Sequence, residues 1–391
     1  MAKINLLPGK EKRLLSGHPW VYQTEVDEVR GRFAAGDVVE VCDARGQFLG
    51  RGYINPASQI CIRLLTRKRD EAVNREFFRR RLERAAAYRA KVVRDTNAYR
   101  LVNAEADFLP ALVVDRYGDY LVVQFLALGI ERFKDTLVQL LAEIFGPRGI
   151  YERSDVGVRE REGLKPASGP LYGEVPEFVV IEENGACFRV DLHAGQKTGF
   201  FLDQRENRKA VAELASGARV LDCFSYTGGF AVSAARAGPR TLLPVESTQP
   251  ALLKPRHPAL HNTDGERSAV REANCFDELR RLTEAGESYD LVILDPPAFT
   301  KSKEALEGAV RGYKEINLRA LKLLASGGYL ATCSCSYHLS EGLFMEIVAS
   351  AARDARRTLR LVEFRRQARD HPILPAIPET YYLKCGIFQV F

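Results

Sequence analysis

The sequence has few of the features that mark several common classes of protein. Its 391 residues include only 2 Met and 1 Trp, so they offer no methionine-rich recognition surface. No apolar run approaches the roughly 20 residues of a membrane-spanning helix, and the charged N-terminus does not resemble a secretory signal. The 8 cysteines are scattered, and only Cys333 and Cys335 lie close together. We therefore expect a cytoplasmic protein with reduced thiols, no zinc site and no membrane partner.

Positive charge is unevenly distributed along the chain. The net charge is only +6, but residues 63–100 contain 13 Lys and Arg against 5 Asp and Glu, a local excess of +8. Clustered positive charge is typical of nucleic-acid binding, although a solvated helix face has the same composition. With 46% hydrophobic residues, the chain is expected to form two or three globular domains.

The predicted secondary structure divides the chain into three parts. Short strands separated by turn residues predict a small β-barrel over residues 1–69. Residues 70–185 combine an arginine-rich helix with alternating strands, which predicts an α+β domain with a Gly- and Pro-rich linker at residues 163–173. Over residues 186–391, apolar strands alternate with helices, as in a doubly wound α/β domain.

Residues 219–238 form the segment around which the α/β domain is expected to be organised. An apolar strand ends at Asp222, a glycine-containing turn follows, and a helix of small residues comes next. Such a corner binds nucleotides, because its glycines allow close approach of the backbone and the helix presents free N–H groups. The turn lacks the dinucleotide pattern, and Asp222 would repel a pyrophosphate but could hold an ammonium group. This favours an amino acid joined to a nucleoside, as in S-adenosylmethionine (SAM).

Two polar residues at the ends of later strands fit the same ligand. Glu246 lies eighteen residues after Gly228 at the end of the next strand, where a carboxylate accepts both ribose hydroxyls of an adenosine. Asn274 is expected at the end of the third strand, where it can both donate to and accept from an adenine edge. For Glu246, an ordinary surface role is the alternative.

The most specific motif is Leu-Asp-Pro-Pro-Ala-Phe at residues 294–299. Two prolines after an aspartate at a strand tip give a rigid loop with outward carbonyls, because proline fixes φ and has no N–H. A flat aminopyrimidine or aminopurine fits against such a loop. We therefore predict that Asp295, Pro296, Pro297 and Phe299 bind the substrate base, with Phe299 stacking on it.

The segment Ala-Thr-Cys-Ser-Cys-Ser at residues 331–336 adds a thiol to the predicted site. Strand alternation places Cys333 and Cys335 on one face, and Cys335 lies nearer the carboxyl end, where ligands of such sheets bind. A thiolate there can attack an electron-poor ring carbon. Burial as an inert side chain is the alternative, and it is what we expect for Cys333.

Several long motifs together resemble the RlmI-type ribosomal RNA cytosine-5 methyltransferase family. They include FSYTGGF, LDPPAFTKSK, RGYKEINLRALKLL, AGQKTGFFLDQREN and GHPWVY, and the resemblance covers nearly the whole chain. It implies an N-terminal PUA RNA-binding domain, a central α+β domain and a Rossmann-like class I SAM methyltransferase domain. It also implies SAM as cofactor, 23S ribosomal RNA or a large-subunit precursor as partner, and a homodimer.

The resemblance assigns roles to particular residues. The family nucleophile falls on Cys335, and Asp295 is the second predicted catalytic residue. Together with Asp222, the predicted cofactor site comprises Lys197, Thr198, Gln204, Arg205, Phe224, Ser225, Tyr226, Thr227, Gly228, Glu246, Asn274, Cys275 and Asp295. Residues 250–258 depart from the family pattern, because Pro255 and Pro258 would break the helix expected there. Methylation of a base nitrogen and a non-catalytic ribosome assembly factor are the alternative functions.

Overall fold

The computed structural model describes residues 1–247, 270–300 and 304–391, and the proline-rich segment 250–258 lies outside these residues. The chain divides into two compact units. One comprises residues 1–202 and 369–380, and the other comprises residues 203–368 and 381–391. Every helix that the structure describes is too short or too polar to span a membrane. The three-domain division at residues 69 and 185 stays a prediction.

The first unit begins with a six-stranded sheet in the order β2-β6-β5-β4-β1-β3. Its strands are β1 (Lys3–Leu6), β2 (Trp20–Tyr22), β3 (Val26–Arg30), β4 (Val38–Cys42), β5 (Phe48–Ile54) and β6 (Ile60–Thr66), and helix α1 is Lys12–Leu15. Only β1 and β4 pair in parallel. Alternate residues such as Ile4, Val39 and Ile62 are fully buried and form the core of this sheet.

The first unit continues with a five-stranded sheet in the order β11-β10-β9-β8-β7. Its strands are β7 (Ala98–Asn103), β8 (Leu112–Tyr117), β9 (Tyr120–Phe125), β10 (Gly149–Ser154) and β11 (Ala167–Gly173), and its helices are α2 (Arg75–Val92), α3 (Leu128–Glu131) and α4 (Lys134–Phe145). Apolar residues of α2 and α4, among them Phe77, Phe78 and Leu137, pack in one core with the sheet.

The predicted linker at residues 163–173 is wrong, because Ala167–Gly173 forms β11. This strand pairs with β10 and lies at the edge of the sheet, where the missing N–H of Pro170 is tolerated. Two further strands, β12 (Phe178–Glu183) and β13 (Ala186–Asp191), form a hairpin. Its turn residues Asn184 and Gly185 both have positive φ, as a two-residue hairpin turn requires.

A buried glutamate joins the two sheets of the first unit. Glu162 is almost fully buried, and its Oε1 accepts hydrogen bonds from Arg63 at 2.9 Å and from Ser58 at 2.6 Å. Its Oε2 accepts one from Asn55 at 3.0 Å. Because all three donors belong to the first 69 residues, these residues pack with the rest of the unit around one ionic centre.

The second unit contains a seven-stranded sheet in the order β16-β15-β14-β17-β18-β20-β19. Its strands are β14 (Arg219–Cys223), β15 (Thr241–Glu246), β16 (Arg271–Glu272), β17 (Tyr289–Leu294), β18 (Leu324–Ser334), β19 (Leu359–Arg365) and β20 (Lys384–Val390). The first five strands in this order are parallel, and β20 is antiparallel to both of its neighbours.

Helices cover both faces of this sheet. They are α5 (Arg205–Ala212), α6 (Gly229–Ala235), α7 (Cys275–Glu284), α8 (Leu306–Leu323) and α9 (Glu341–Ala355). Helices α5 and α6 belong to the core on one face, and α7, α8 and α9 belong to the core on the other. The strand order reverses between β14 and β17, and ligands of such sheets bind outside the carboxyl ends of the strands at that point.

Candidate active site

The turn between β14 and α6 has an unusual backbone. Phe224 and Tyr226 have φ values of 65° and 49°, and Gly228 has a φ of 83°. A left-handed conformation costs a residue other than glycine about 1–3 kcal/mol, and such strain is concentrated at functional sites. The amide of Ser225 donates to the carbonyl of Val245 at 3.1 Å, which ties the turn to the end of β15.

Asp222 is a fully buried carboxylate at the end of β14. Among the residues that the structure describes, no donor makes a hydrogen bond of good geometry with either of its side-chain oxygens, and the backbone amide of Ala231 only partly offsets the rise in its pKa. Burial raises the pKa of Asp222 well above its usual value, and the negative charges of Asp295 and Glu246 raise it further. Because an unpaired buried carboxylate is unfavourable, this position fits a positively charged ligand group such as the ammonium of SAM.

Glu246 lies at the end of β15 and is held by backbone amides. Its Oε2 accepts from the amide of Tyr226 at 2.9 Å, and its Oε1 accepts from the amide of Ser247 at 2.7 Å. The carboxylate therefore fixes the turn after β14. Each carboxylate oxygen can accept more than one hydrogen bond, so the predicted contact with ribose hydroxyls is compatible with this arrangement.

Asn274 and Cys275 mainly support the local structure. The Oδ1 of Asn274 accepts from the amide of Phe276 at 2.9 Å and caps α7, while its amide group and the second lone pair of Oδ1 can still contact a ligand. Cys275 is buried, and its Sγ accepts from the amide of Phe224 at 3.2 Å. A hydrogen bond with Cys275, together with burial, raises the pKa of Cys223 well above its usual value.

Lys197 and Thr198 belong to the first unit. Thr198 is buried, and its Oγ1 donates to Asp115 at 2.6 Å and lies 2.9 Å from the hydroxyl of Tyr117. Lys197 is exposed, and its Nζ lies 4.5 Å from the centre of the Phe201 ring. The other predicted cofactor residues, from Gln204 onwards, belong to the second unit.

A chain of hydrogen bonds orients the carboxylate of Asp295. Its Oδ1 accepts from Gln204 at 2.8 Å, and the Oε1 of Gln204 accepts from Asn207 at 2.6 Å. The Nε of Arg365 donates to the Oδ1 of Asn207 at 3.2 Å. Sequence reasoning missed Asn207, although it lies in the quoted segment AGQKTGFFLDQREN. Arg205, next to Gln204, is buried, with a guanidinium nitrogen 3.7 Å from Glu206.

Cys335 lies just beyond β18, beside the Asp-Pro-Pro loop. Its Sγ is 4.0 Å from the carbonyl oxygen of Pro296, and its side chain is half-buried. The other four cysteines of the second unit are buried. Among them, Cys333 has a pKa raised well above its usual value by a hydrogen bond with Cys385 and by burial. The geometry thus separates an accessible thiol at residue 335 from an inert one at residue 333.

Sequence reasoning also missed Lys384, a buried cation near Cys335. Its Nζ donates to the carbonyls of Ser336 at 2.8 Å and Tyr382 at 3.0 Å. Burial lowers the pKa of Lys384 to about 8, and the charges of Cys335 and Glu341 oppose this shift. A lysine at the start of the apolar strand β20 is the sequence feature that could have revealed it.

Phe299 belongs to a cluster of aromatic side chains behind the Asp-Pro-Pro loop. Its ring centre lies 4.6 Å from that of Tyr313 and 5.7 Å from that of Phe276. The hydroxyl of Tyr313 in turn hydrogen-bonds with Ser334 and Ser336, which flank the nucleophile position. Stacking of a base on Phe299 stays a prediction, and the observed ring contacts pack the loop against α7 and α8.

Two family models match the chain. A PUA-like domain matches residues 4–67, and an S-adenosylmethionine-dependent methyltransferase matches residues 153–389. The fold and the site therefore define a SAM-dependent methyltransferase with a PUA-like domain at its N-terminus. Ribosomal RNA large subunit methyltransferase I of Shewanella denitrificans is 45% identical over 394 aligned positions, which cover 100% of this chain and 99% of that protein. The chain belongs to this family.

Solved structures share the fold. A methyltransferase-like protein crystallised with S-adenosylhomocysteine has a TM-score of 0.85 at 23% identity, covering 99% of this chain and 100% of that one. A tRNA m1G37 methyltransferase of M. jannaschii has a TM-score of 0.50 at 15% identity, covering 80% of this chain and 78% of that one. The predicted family, fold class and cofactor are confirmed.

Proposed function

We propose that the protein forms 5-methylcytosine in large-subunit (23S) ribosomal RNA through a covalent adduct between Cys335 and C6 of the base. The relative from Shewanella denitrificans is named for methylation of this RNA. The observation that carries the cytosine assignment is the 4.0 Å separation between the Cys335 thiol and the carbonyl oxygen of Pro296. This distance supports the proposal because it puts a thiol beside the loop that is expected to hold the base.

The chemistry follows from the weak nucleophilicity of cytosine C5. Addition of the Cys335 thiolate to C6 forms an S–C bond and moves the electron pair of the C5–C6 double bond onto C5. SAM, when bound, supplies the methyl group that C5 accepts. Removal of the C5 proton then restores the double bond and breaks the S–C bond, which releases Cys335 as a thiolate.

Two charged residues serve this addition. A cation near a thiol favours the thiolate, and the buried ammonium of Lys384 supplies one. The carboxylate of Asp295, oriented by Gln204, would hydrogen-bond the N3–N4 edge of cytosine and stabilise the adduct. The C5 proton passes to a general base and from there to solvent.

The residues of the second unit also fit SAM. Asp222 would hold the ammonium of the methionine part, because its two buried oxygens accept no hydrogen bond of good geometry from the described residues. Glu246 would hold the ribose, with its carboxylate already fixed by the amides of Tyr226 and Ser247. The strained turn from Phe224 to Gly228 would bring the backbone close to the ligand.

The proposal is tested with Cys335→Ser and the matched control Cys333→Ala. We expect Cys335→Ser to lose transfer of a labelled methyl group from SAM to ribosomal RNA while its calorimetric SAM affinity stays at the parent value. Cys333→Ala should keep the activity and lose about 1 kcal/mol of stability. RNA with 5-fluorocytosine should trap a covalent complex, because fluorine cannot leave as a proton does.

Other outcomes would favour the alternatives. Methyl transfer that survives in Cys335→Ser would favour methylation of a base nitrogen, a reaction named for the M. jannaschii protein that shares the fold. Absence of SAM binding in the parent would favour a non-catalytic assembly factor. The expected cytoplasmic homodimer rests on the cysteine pattern and the resemblance, and light scattering of the purified chain tests the dimer.

A further inference from the structure

The first unit contains a cavity that the methyl-transfer reaction does not use. Its volume is about 490 Å³, which is in the range of pockets for small ligands. The end of β6, helix α2 and the loop before β8 line it. Because all these elements belong to one compact unit, the cavity is a feature of that unit alone.

The GHPW motif at residues 17–20 helps to form the cavity. Gly17 has a φ of 106°, and a Cβ at this position would lie 2.9 Å from the Cβ of Ala376, so a larger residue would be strained and crowded. The indole N–H of Trp20 donates to Glu105 at 3.0 Å, which fixes the first sheet against the loop before β8. The motif therefore shapes one side of this cavity through the backbone of Gly17 and the hydrogen bond of Trp20.

Positive charge predominates along the walls. Five cations line the cavity, Arg67, Lys68, Arg80, Arg81 and Arg84, against the two carboxylates of Glu71 and Glu105. Glu71 pairs with Arg80 at 3.2 Å, and Glu105 accepts from Trp20. Within the part of the chain that the structure describes, Lys68 and Arg84 have no carboxylate at ion-pair distance. The net charge of +3 therefore favours an anionic occupant.

An aromatic ring stands at the same cavity. Phe108 is 40% exposed, and the guanidinium carbons of Arg84 and Arg81 lie 5.2 Å and 5.4 Å from its ring centre. Its φ of 59° places it in the left-handed region, which is unfavourable for a bulky residue. An exposed aromatic ring among arginines provides the stacking surface and charge that single-stranded nucleic acid requires.

We propose that this cavity binds one unstacked nucleotide of a single-stranded segment of the substrate RNA. The base packs against Phe108 and the apolar wall, and the neighbouring phosphates contact Lys68 and Arg84. This assignment rests on the proposed function, which makes RNA the substrate. It places an RNA contact in the first unit that is separate from the predicted target-base loop at residues 294–299.

The test is fluorescence anisotropy of a short labelled single-stranded RNA titrated with the full-length chain at several salt concentrations. Phe108→Ala should weaken binding about five- to 150-fold, the loss typical of one stacked base, and Phe108→Trp should restore it. Arg84→Ala should also weaken binding and reduce the log–log salt slope by about 1. Arg79→Ala is the matched control, because Arg79 lies on the same helix but pairs with Glu143 at 2.6 Å outside the cavity.

The outcomes separate this proposal from the proposed function. Unchanged RNA affinity in both cavity variants, or an equal loss in Arg79→Ala, would overturn the cavity assignment. If the parent methylates ribosomal RNA while Phe108→Ala binds RNA normally, only the cavity assignment fails. If the variants lose RNA binding while the parent transfers no methyl group, only the proposed function fails. Unchanged SAM affinity and melting temperature show that the variants remain folded.

Discussion

Replacing Asp222 by Asn should stabilise the protein without SAM while weakening its affinity for SAM. The carboxylate is fully buried and accepts no hydrogen bond of good geometry from the described residues, so in the apo protein only the nearby backbone amide of Ala231 partly compensates the loss of its hydration. An amide of the same shape removes the charge. With SAM bound, the same carboxylate would contact an ammonium group, and this attraction is what Asn cannot reproduce.

Asp222→Asn should change SAM affinity and apo stability in opposite directions. A hydrogen bond to a charged group contributes about 1.5–3 kcal/mol, so Asp222→Asn should weaken SAM binding by about 10- to 150-fold. An unsatisfied buried polar group costs about 1–3 kcal/mol, and relief of part of this cost should raise the melting temperature of the apo protein. A substitution that only damaged the fold would lower both the SAM affinity and the melting temperature.

The pH dependence of stability gives an independent check that the ionised Asp222 carboxylate destabilises the apo protein. Burial raises the pKa of Asp222 in the folded protein, so the folded state retains a proton that the unfolded chain loses above about pH 3.9. The apo protein should therefore lose stability as the pH rises from that value toward the raised pKa, and Asp222→Asn should lack this loss. The SAM affinity of the parent should rise over the same interval, because an ammonium favours the ionised carboxylate.

Calorimetry with SAM and thermal melting of the apo protein measure these effects. Asp290→Asn is the matched control, because Asp290 lies at the opposite end of β17 and accepts from the amide of Arg219 at 2.8 Å. It should lose stability and keep its SAM affinity. The reasoning is refuted if Asp222→Asn binds SAM like the parent, or if it melts at a lower temperature than the parent.

Three further substitutions test the rest of the site. Glu246→Gln should weaken SAM binding by about tenfold or more and also lower stability, since it replaces the acceptor of two backbone amides. Calorimetry measures the SAM affinity and thermal melting measures the stability. Unchanged SAM affinity would contradict the assignment of Glu246 to the ribose. Gln204→Leu should lower methyl transfer more than SAM affinity, because it releases Asp295; equal losses would point to a cofactor role alone. Lys384→Gln should lower methyl transfer at neutral pH, with recovery at higher pH as the thiol ionises, and an unchanged pH–rate profile would exclude an electrostatic role. Because the folded pKa of Lys384 is about 8, the parent should gain stability from about pH 8 to pH 10.4, and the variant should not.

The positions of the site residues along the sequence were predictable because the strands that carry them belong to the parallel part of the sheet. Its strands are buried on both faces and appear as continuous apolar runs, so the first polar residue after each run marks a carboxyl end. Asp222, Glu246 and Asp295 were identified in this way, and each lies at or directly after the end of its strand. Pro244 inside β15 is compatible with the fold, since β16 pairs with that strand only at Val245 and Glu246.

The contacts that depend on chain topology were not predictable from the sequence. Lys384 approaches Cys335 because β20 inserts between β18 and β19 in antiparallel orientation, an order that local patterns do not specify. Asn207 on α5 contacts Gln204, the residue just before that helix, and also Arg365 of β19, which is far away in sequence. The strand at residues 167–173 was missed because its Gly and Pro content resembles that of a linker, whereas its edge position tolerates both.

The sequence predicted that Asp222, Glu246 and Asp295 lie close together, and the structure distinguishes them by their hydrogen-bond donors. Glu246 accepts from the amides of the turn, and Asp295 accepts from Gln204, so both carboxylates have donors within the protein. Asp222, between them in the order of the sheet, accepts no hydrogen bond of good geometry from the described residues, has only the nearby backbone amide of Ala231, and is the most deeply buried of the three. This difference supports the proposal that Asp222 contacts a ligand. A positively charged group would suit it best, since burial and the negative charges of Asp295 and Glu246 all raise the pKa of Asp222.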